Sequence, residues 1–496
     1  MATGKDTIEM LELAPEAKAD QETQKKGDLN EDVERTPEEA RLERKLLLKS
    51  DLIILPLIFV TFLLAFLDRS DLGNAAVAGM TKDLGMSPQQ LSTASSIFYA
   101  TFVVFQLPGN LHIRILGPQV ELALGLTIRG LFNTLICTAR NYAAVVGLRL
   151  GMGAGEAFFE AAPLYLTLWY KRDEYSRRGA ITFSAAAAAG ALNGLIAYGI
   201  EKSLNGEDGL AAWRWLFIIE GCLSIGWAIV ILLLLPAVPE KARMFFSSAE
   251  KDLAIQRNRE GYNEPHAKIR WPVLIGIFRD WNTYLFGIIY SCANMSLASF
   301  STFLPLILRT LGYSTLDAQL LTIPVYVVAT ISVLAITYFS DRYKNRGYFL
   351  IGTFAWLVAG WLILLVSTNQ HLSFAGTFLV GAGTYPTVVL GFSWVLNNCA
   401  GFTKRAGTYA VVAMIGQCFA LMATELYSDP PRYYRGNGIA LRSAVVGFCT
   451  SAVLVVKLKH ANEQKTRVAS LELARRQRLL SIEELGNEHP DFYYFI

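Results

Sequence analysis

Leu52–Asp71 reads LIILPLIFVTFLLAFLDRSD: sixteen uncharged residues, then two acids and an arginine with no break between. A helix needs about twenty apolar residues to cross the hydrocarbon core of a bilayer. Leu72–Met80 stays largely apolar, which extends the run and sets Asp68 and Arg69 inside it. A charge at that depth costs at least about 2.5–3.5 kcal/mol, so it calls for a partner or a task. The alternative is a helix that ends at Asp68 and leaves the charges in the interface.

The same pattern recurs along the chain, for instance at Trp215–Leu235 and Phe349–Val366. Of the 496 residues 53% are hydrophobic and only 18% charged, against about 25% charged in soluble domains. The expected fold is therefore an all-α membrane protein of twelve transmembrane helices in two six-helix halves. The spans fall near 52–78, 91–111, 119–138, 142–165, 178–200 and 213–236, then 282–308, 315–338, 347–367, 372–396, 405–427 and 437–458. The domains are a tail (1–50), a first half (51–236), a connector (237–281), a second half (282–458) and a tail (459–496). The connector is polar and amphipathic around Ala249–Arg259. The first fifty residues hold no apolar core of a cleaved signal peptide, so the first span is expected to remain as a helix.

Net charge is +3, too small to suggest nucleic acid; where the charges lie is more informative. Lys171, Arg172, Arg177 and Arg178 share one set of loops with Lys241–Arg270, Arg342–Arg346 and Lys404–Arg405. The positive-inside rule makes that set cytoplasmic, and an even number of spans puts both termini there. The short basic segments Pro108–Gly117 and Ser340–Gly347 occupy matching places in the two halves, as in carriers built from paired repeats. Six cysteines lie singly, without CxxC, so neither zinc nor a disulfide framework is expected. No P-loop, HExxH, GxSxG or GxGxxG element suggests an enzyme.

Helix 4 carries Gly147, Gly151 and Gly155 at four-residue intervals, a stripe that lets a neighbouring backbone approach. Arg149 and Glu156, seven apart, share the opposite face, and Glu160 joins them. Such a mixed cluster lines a watery cavity or forms an ion-pair ladder. Arg129 interrupts helix 3, with cavity and packing roles both open. Arg442 is expected to snorkel to the interface. Ser393, Trp394, Asn397 and Gln417 are uncharged hydrogen-bonding groups that suit a ligand or an interhelical bond.

Leu67–Ala75 resembles the helix 1 signature of the anion:cation symporter family within the major facilitator superfamily, and of its fungal allantoate-permease-like branch. Further matches are Arg149 through Glu156-Ala157, Trp169–Arg172, Trp213–Gly221, Ser340-Asp341-Arg342, Asn397-Asn398, Thr403-Lys404-Arg405 and Pro490–Tyr494. The resemblance implies a major facilitator fold and transport of a small organic anion, a carboxylate or vitamin-like molecule, with protons. It implies Asp68 and Glu156 as proton-coupling acids, and Arg69 and Arg149 as groups that hold the anion. Ser393, Trp394, Asn397 and Gln417 are candidate substrate contacts, with Glu160 and Arg129 candidates for the cavity. A monomer in a fungal plasma membrane is expected, with no cofactor and no metal. Departures stand at Phe102 and Gln106 in span 2, Arg129-Gly130, Phe158 and Gly416-Gln417. They leave room for an exporter of a fungal secondary metabolite, or for a nutrient sensor that does not transport.

Overall fold

Thr36 starts the first helix with a reciprocal cap. Its hydroxyl accepts from the Glu39 amide at 3.3 Å, its own amide donates to Glu39 Oε2 at 3.0 Å, and Pro37 takes the first helical position. Ser87 and Gln90 repeat the device ahead of Pro88. The Ser87, Asp280, Ser314 and Asn369 caps begin helices close to where the sequence turns apolar, whereas the helix after Thr36 starts in a charged stretch.

A computed structural model describes residues 36–159, 162–242, 244–260, 271–426, 433–468, 477 and 485–496. Among the described residues there is no strand, and twelve helices have eighteen residues or more. The first six are α1 (Pro37–Val77), α2 (Pro88–Leu116), α3 (Pro118–Leu135), α4 (Tyr142–Phe159), α5 (Arg172–Ser203) and α6 (Ala212–Leu234). The second six are α7 (Trp281–Thr310), α8 (Thr315–Arg342), α9 (Gly347–Val366), α10 (Gln370–Asn397), α11 (Phe402–Glu425) and α12 (Tyr434–Val468). Ten are long and apolar enough to span a membrane among the described residues. The other two carry more polar side chains: α4 holds Arg149 and Glu156, and α2 holds Gln106 and several serines.

Packing repeats with a period of six helices. In the first half α1 packs on α5 and α6, α2 on α4, and α3 on α4 and α6. In the second half α7 packs on α11 and α12, α8 on α10, and α9 on α10 and α12. The halves meet through α1 with α7, α2 with α11, and α5 with α8. A helix satisfies its own backbone hydrogen bonds in lipid, so shape and buried polar groups decide which helices meet. Gly155 shows the first effect: a Cβ there would lie 2.8 Å from the Arg129 amide nitrogen, so only glycine lets α4 come this close to α3. Gly151 meets the Phe132 ring rather than a neighbouring backbone, and Gly147 faces open space.

The connector forms a helix at Ser248–Glu260 that docks on the first half. Buried Glu250 accepts from Lys49 Nζ at 2.9 Å with both oxygens. Burial works to raise its pKa, yet the Lys49 hydrogen bond, the Ser247 backbone and the Lys45 charge hold it below the usual glutamate value. Arg178 anchors the start of α5 to Asp51 through a two-pronged ion pair of 2.6 and 2.8 Å.

Candidate functional site

Asp68 and Arg69 are neighbours on α1, hence about 100° apart around it, and they look in different directions. Asp68 is buried and faces α3. Arg129 of α3 meets it with Nε, 2.8 Å from Oδ2, and also with Nη2. The same Nη2 donates to the Leu64 carbonyl at 2.7 Å, one turn before Asp68. Arg129 Nη1 then reaches Glu156 Oε2 of α4 at 2.8 Å, and the other Glu156 oxygen accepts from Arg69 Nη2. The result is a chain of alternating charge, Arg69–Glu156–Arg129–Asp68, tying three helices together. Ion pairs this deep repay their desolvation only when each charge is matched, and here each inner group has two partners.

Arg69 is the end of that chain that meets open space. It lines a cavity between the halves, with Tyr290 and Asn294 of α7, Ser393 of α10, Gln417 of α11 and Tyr175 of α5. Among the described lining residues Arg69 is the only charged one. Aromatic rings flank its guanidinium, Phe66 at 4.7 Å and Phe102 at 5.7 Å from ring centroids. Asn294 Nδ2 donates to Gln417 Oε1 at 3.1 Å and to the Gly416 carbonyl at 3.0 Å, which presets the opposite, polar wall. The cavity runs from Arg69 toward the end of the bundle that bears both chain tails. At about 40 Å³ it has room for a few waters rather than an organic acid, so the halves must part to admit one.

Asp68, Arg69, Glu156 and Arg129 are thus brought together, and Ser393 and Gln417 reach the cavity wall. Three expected substrate contacts are not brought there. Arg149 is buried against α2, where Nε donates to the Ala94 carbonyl at 3.3 Å and the guanidinium lies 5.2 Å from the Phe98 ring centroid. It shares a face with Glu156 but stands two helical turns away. Trp394 donates from Nε1 to the Phe495 carbonyl at 2.8 Å, edge-on to Phe286. Asn397, with its amide oriented to accept, receives Arg346 Nη2 at 2.8 Å. Both belong to the seat of the C-terminal segment. Glu160 lies outside the described residues.

Several polar groups at the site were not singled out by sequence. Asn133 Nδ2 donates to Asp68 Oδ1 at 2.9 Å, and Asn193 Nδ2 to Asp71 Oδ1 at 2.8 Å. Ser224 of α6 touches Asp68 at 3.4 Å. Amides in a span are too common to stand out. Glu220, an acid inside the apolar run of α6, carried the signal that marked Asp68.

The sequence profile described as Major Facilitator Superfamily matches residues 58–424. The chain belongs to that superfamily. An uncharacterized transporter of Schizosaccharomyces pombe is 36% identical over 464 residues, covering 92% of this chain and 94% of the relative. The high-affinity nicotinic acid transporter of Saccharomyces cerevisiae is 28% identical over 457 residues, covering 91% and 85%. The proton:xylose symporter XylE, solved with 6-bromo-6-deoxy-D-glucose, superposes with a TM-score of 0.60 at 14% identity, over 82% of this chain and 95% of that one. That last likeness concerns fold alone. The protein is a multi-pass membrane transporter of the major facilitator type.

Proposed function

We propose that this transporter carries a small organic anion together with a proton. The observation that supports it is Arg69: the one charged side chain on the described cavity wall, joined by an ion pair to a buried acid. An incoming carboxylate competes with Glu156 for the Arg69 guanidinium, which can hold a carboxylate through parallel hydrogen bonds. When Arg69 turns to the substrate, Glu156 keeps one guanidinium instead of two, and a proton takes the vacated place. Anion and proton then favour each other's binding. One proton with a monovalent anion crosses without net charge, so a pH gradient contributes about 1.36 kcal/mol per unit. The membrane potential adds nothing. The resemblance to anion:cation symporters and the likeness to a nicotinic acid transporter support a carboxylate or vitamin-like substrate. The alternation of basic loops supports cytoplasmic termini, which would open the cavity toward the cytoplasm.

The test is uptake into proteoliposomes of a panel of carboxylic acids and their methyl esters, with and without an inside-alkaline pH gradient. Acids should be accumulated beyond the level in protein-free liposomes, more so with the gradient, and esters should enter no faster than they do without protein. Equal transport of acid and ester would remove the anion reading and favour a carrier of neutral metabolites. Binding without uptake of any panel member would favour a sensor.

A further inference from the structure

Beside the chain of ion pairs lies a second group of acids that it does not neutralise. Asp71 is three residues beyond Asp68 and faces the same way, toward α3, α5 and α6. Its neighbours are neutral: Asn193 Nδ2 at 2.8 Å and Asn133 Nδ2 at 3.4 Å. Glu220 comes in from α6, fully buried, and carboxyl oxygens of Asp68, Asp71 and Glu220 lie within 4.8 Å of one another. Neither Glu220 oxygen meets an N–H or O–H donor among the described residues. The Asp71 carboxyl lies within 4.8 Å of it. Two carboxyl groups can hydrogen-bond only if one carries a proton, and two ionised ones at that range repel strongly in a dry interior.

The count of charges leads to the same place. The facing acids are Asp68 and Asp71 of α1, Glu156 of α4 and Glu220 of α6. The facing cations are Arg69 of α1, Arg129 of α3 and, turned toward α2, Arg149 of α4. Arg69 and Arg129 are spent on Glu156 and Asp68, Arg149 touches none of the four, and the two acids that no guanidinium touches among the described residues are Asp71 and Glu220. We propose that Asp71 and Glu220 form a second proton site, holding one shared proton outside the cavity. A metal cation suits the place less well. Both asparagines turn N–H groups toward the acids, the Arg129 guanidinium borders Asp68, and a hard cation wants six or more oxygen ligands. The shared proton removes the repulsion between α1 and α6 and leaves Arg129 committed to Asp68 and Glu156. The site stands on this geometry and does not need symport to be correct.

The experiment is infrared spectroscopy of the full-length protein, reconstituted without substrate, following the carbonyl stretch of protonated carboxylic acids. At neutral pH, where exposed carboxylates are ionised, wild type should keep one such band beyond any from Glu121 of α3, whose carboxyl is also buried with no hydrogen-bond partner among the described residues. The shared-proton band should disappear or shift in both Glu220→Gln and Asp71→Asn and persist in Glu156→Gln. Glutamine has the shape of the protonated acid, so Glu220→Gln should melt within a few degrees of wild type. A wild type with no protonated carboxyl band at neutral pH overturns the proposal, whatever the variants do. So does a protonated-carboxyl spectrum that neither variant changes. Sodium or magnesium that raises the melting temperature of wild type but not of Glu220→Gln would make the place a cation site instead. Loss of gradient-driven uptake alone would count against symport and leave this proton site standing.

Discussion

At the scale of single residues the decisive difference is between Arg69, which ends the charge chain at the cavity, and Arg129, which sits inside it. Arg69→Lys keeps the charge and loses the planar fork. It should raise the KM for the best acid about 10–100-fold, the worth of one or two charge-assisted hydrogen bonds. The protein should still reach the membrane, as surface labelling will report. Unchanged KM would mean that the anion meets some other group. Glu156→Gln separates coupling from binding: it should abolish accumulation driven by a pH gradient and spare counterflow exchange, which requires no net proton release. Retained gradient-driven accumulation would clear Glu156 of that role. Asp68→Asn serves less well, since Asp68 holds Arg129 through both Nε and Nη2 where Glu156 holds it through Nη1 alone, and breaking so complete a buried pair costs about 3–5 kcal/mol and lowers folded yield. Asp68, Arg69 and Glu156 were legible in sequence because charges in apolar runs are costly and therefore conspicuous. Arg149 lies off the cavity wall in this structure, held by the Ala94 carbonyl and the Phe98 ring of α2, contacts that a helical wheel of α4 alone does not show. Asn133, Asn193 and Asn294 gave no signal, since an amide in a span is cheap enough to have many uses.

Among the elements, the C-terminal segment, expected only as a tail, is docked on the helices. Lys465 of α12 donates to the carbonyls of Asn487, His489 and Phe492 at 2.6–3.0 Å. Asn398 holds both the amide and the carbonyl of Phe495, at 2.8 and 3.0 Å. With the Trp394 bond these contacts tie the ends of α10 and α12 together. Trp394→Phe removes one donor and keeps the ring, so the melting temperature in detergent should fall by a few degrees while substrate affinity stays the same. A raised KM with unchanged melting would return Trp394 to the substrate site. The helices themselves could be read from uncharged length, but their starts at Pro37 and Pro88, behind the Thr36 and Ser87 caps, were not. The extension of α1 back to Pro37 was hidden because Leu42, Leu46 and Leu47 are scattered among charges that the connector and α5 answer only in three dimensions.

For the whole molecule, the cavity is closed at the end away from the tails, and the closure is made by small residues where the halves cross. A Cβ on Gly194 of α5 would fall 2.7 Å from Thr322 Oγ1 and 2.9 Å from the Gln319 carbonyl of α8. Gly73 of α1 lies against the Thr302 backbone of α7 in the same manner, and Ser96 of α2 donates to Glu425 of α11 at 2.6 Å. These contacts join halves rather than neighbours within a half, so they must separate if the site is to face the other way. Overpacking a tight contact costs about 1–3 kcal/mol, and here the cost falls on one conformation only. Gly194→Val should therefore shift the balance about 5–150-fold toward the state open at that end. Spin labels at Asn205 and Tyr313, on opposite halves beside the contact, should report it as a longer distance that is minor in wild type and major in the variant. Uptake should slow, since a carrier held open on one side completes few cycles. An unchanged distance distribution with normal uptake would mean that the α5–α8 crossing is not the seal, and that the end away from the tails opens by some other parting of the helices.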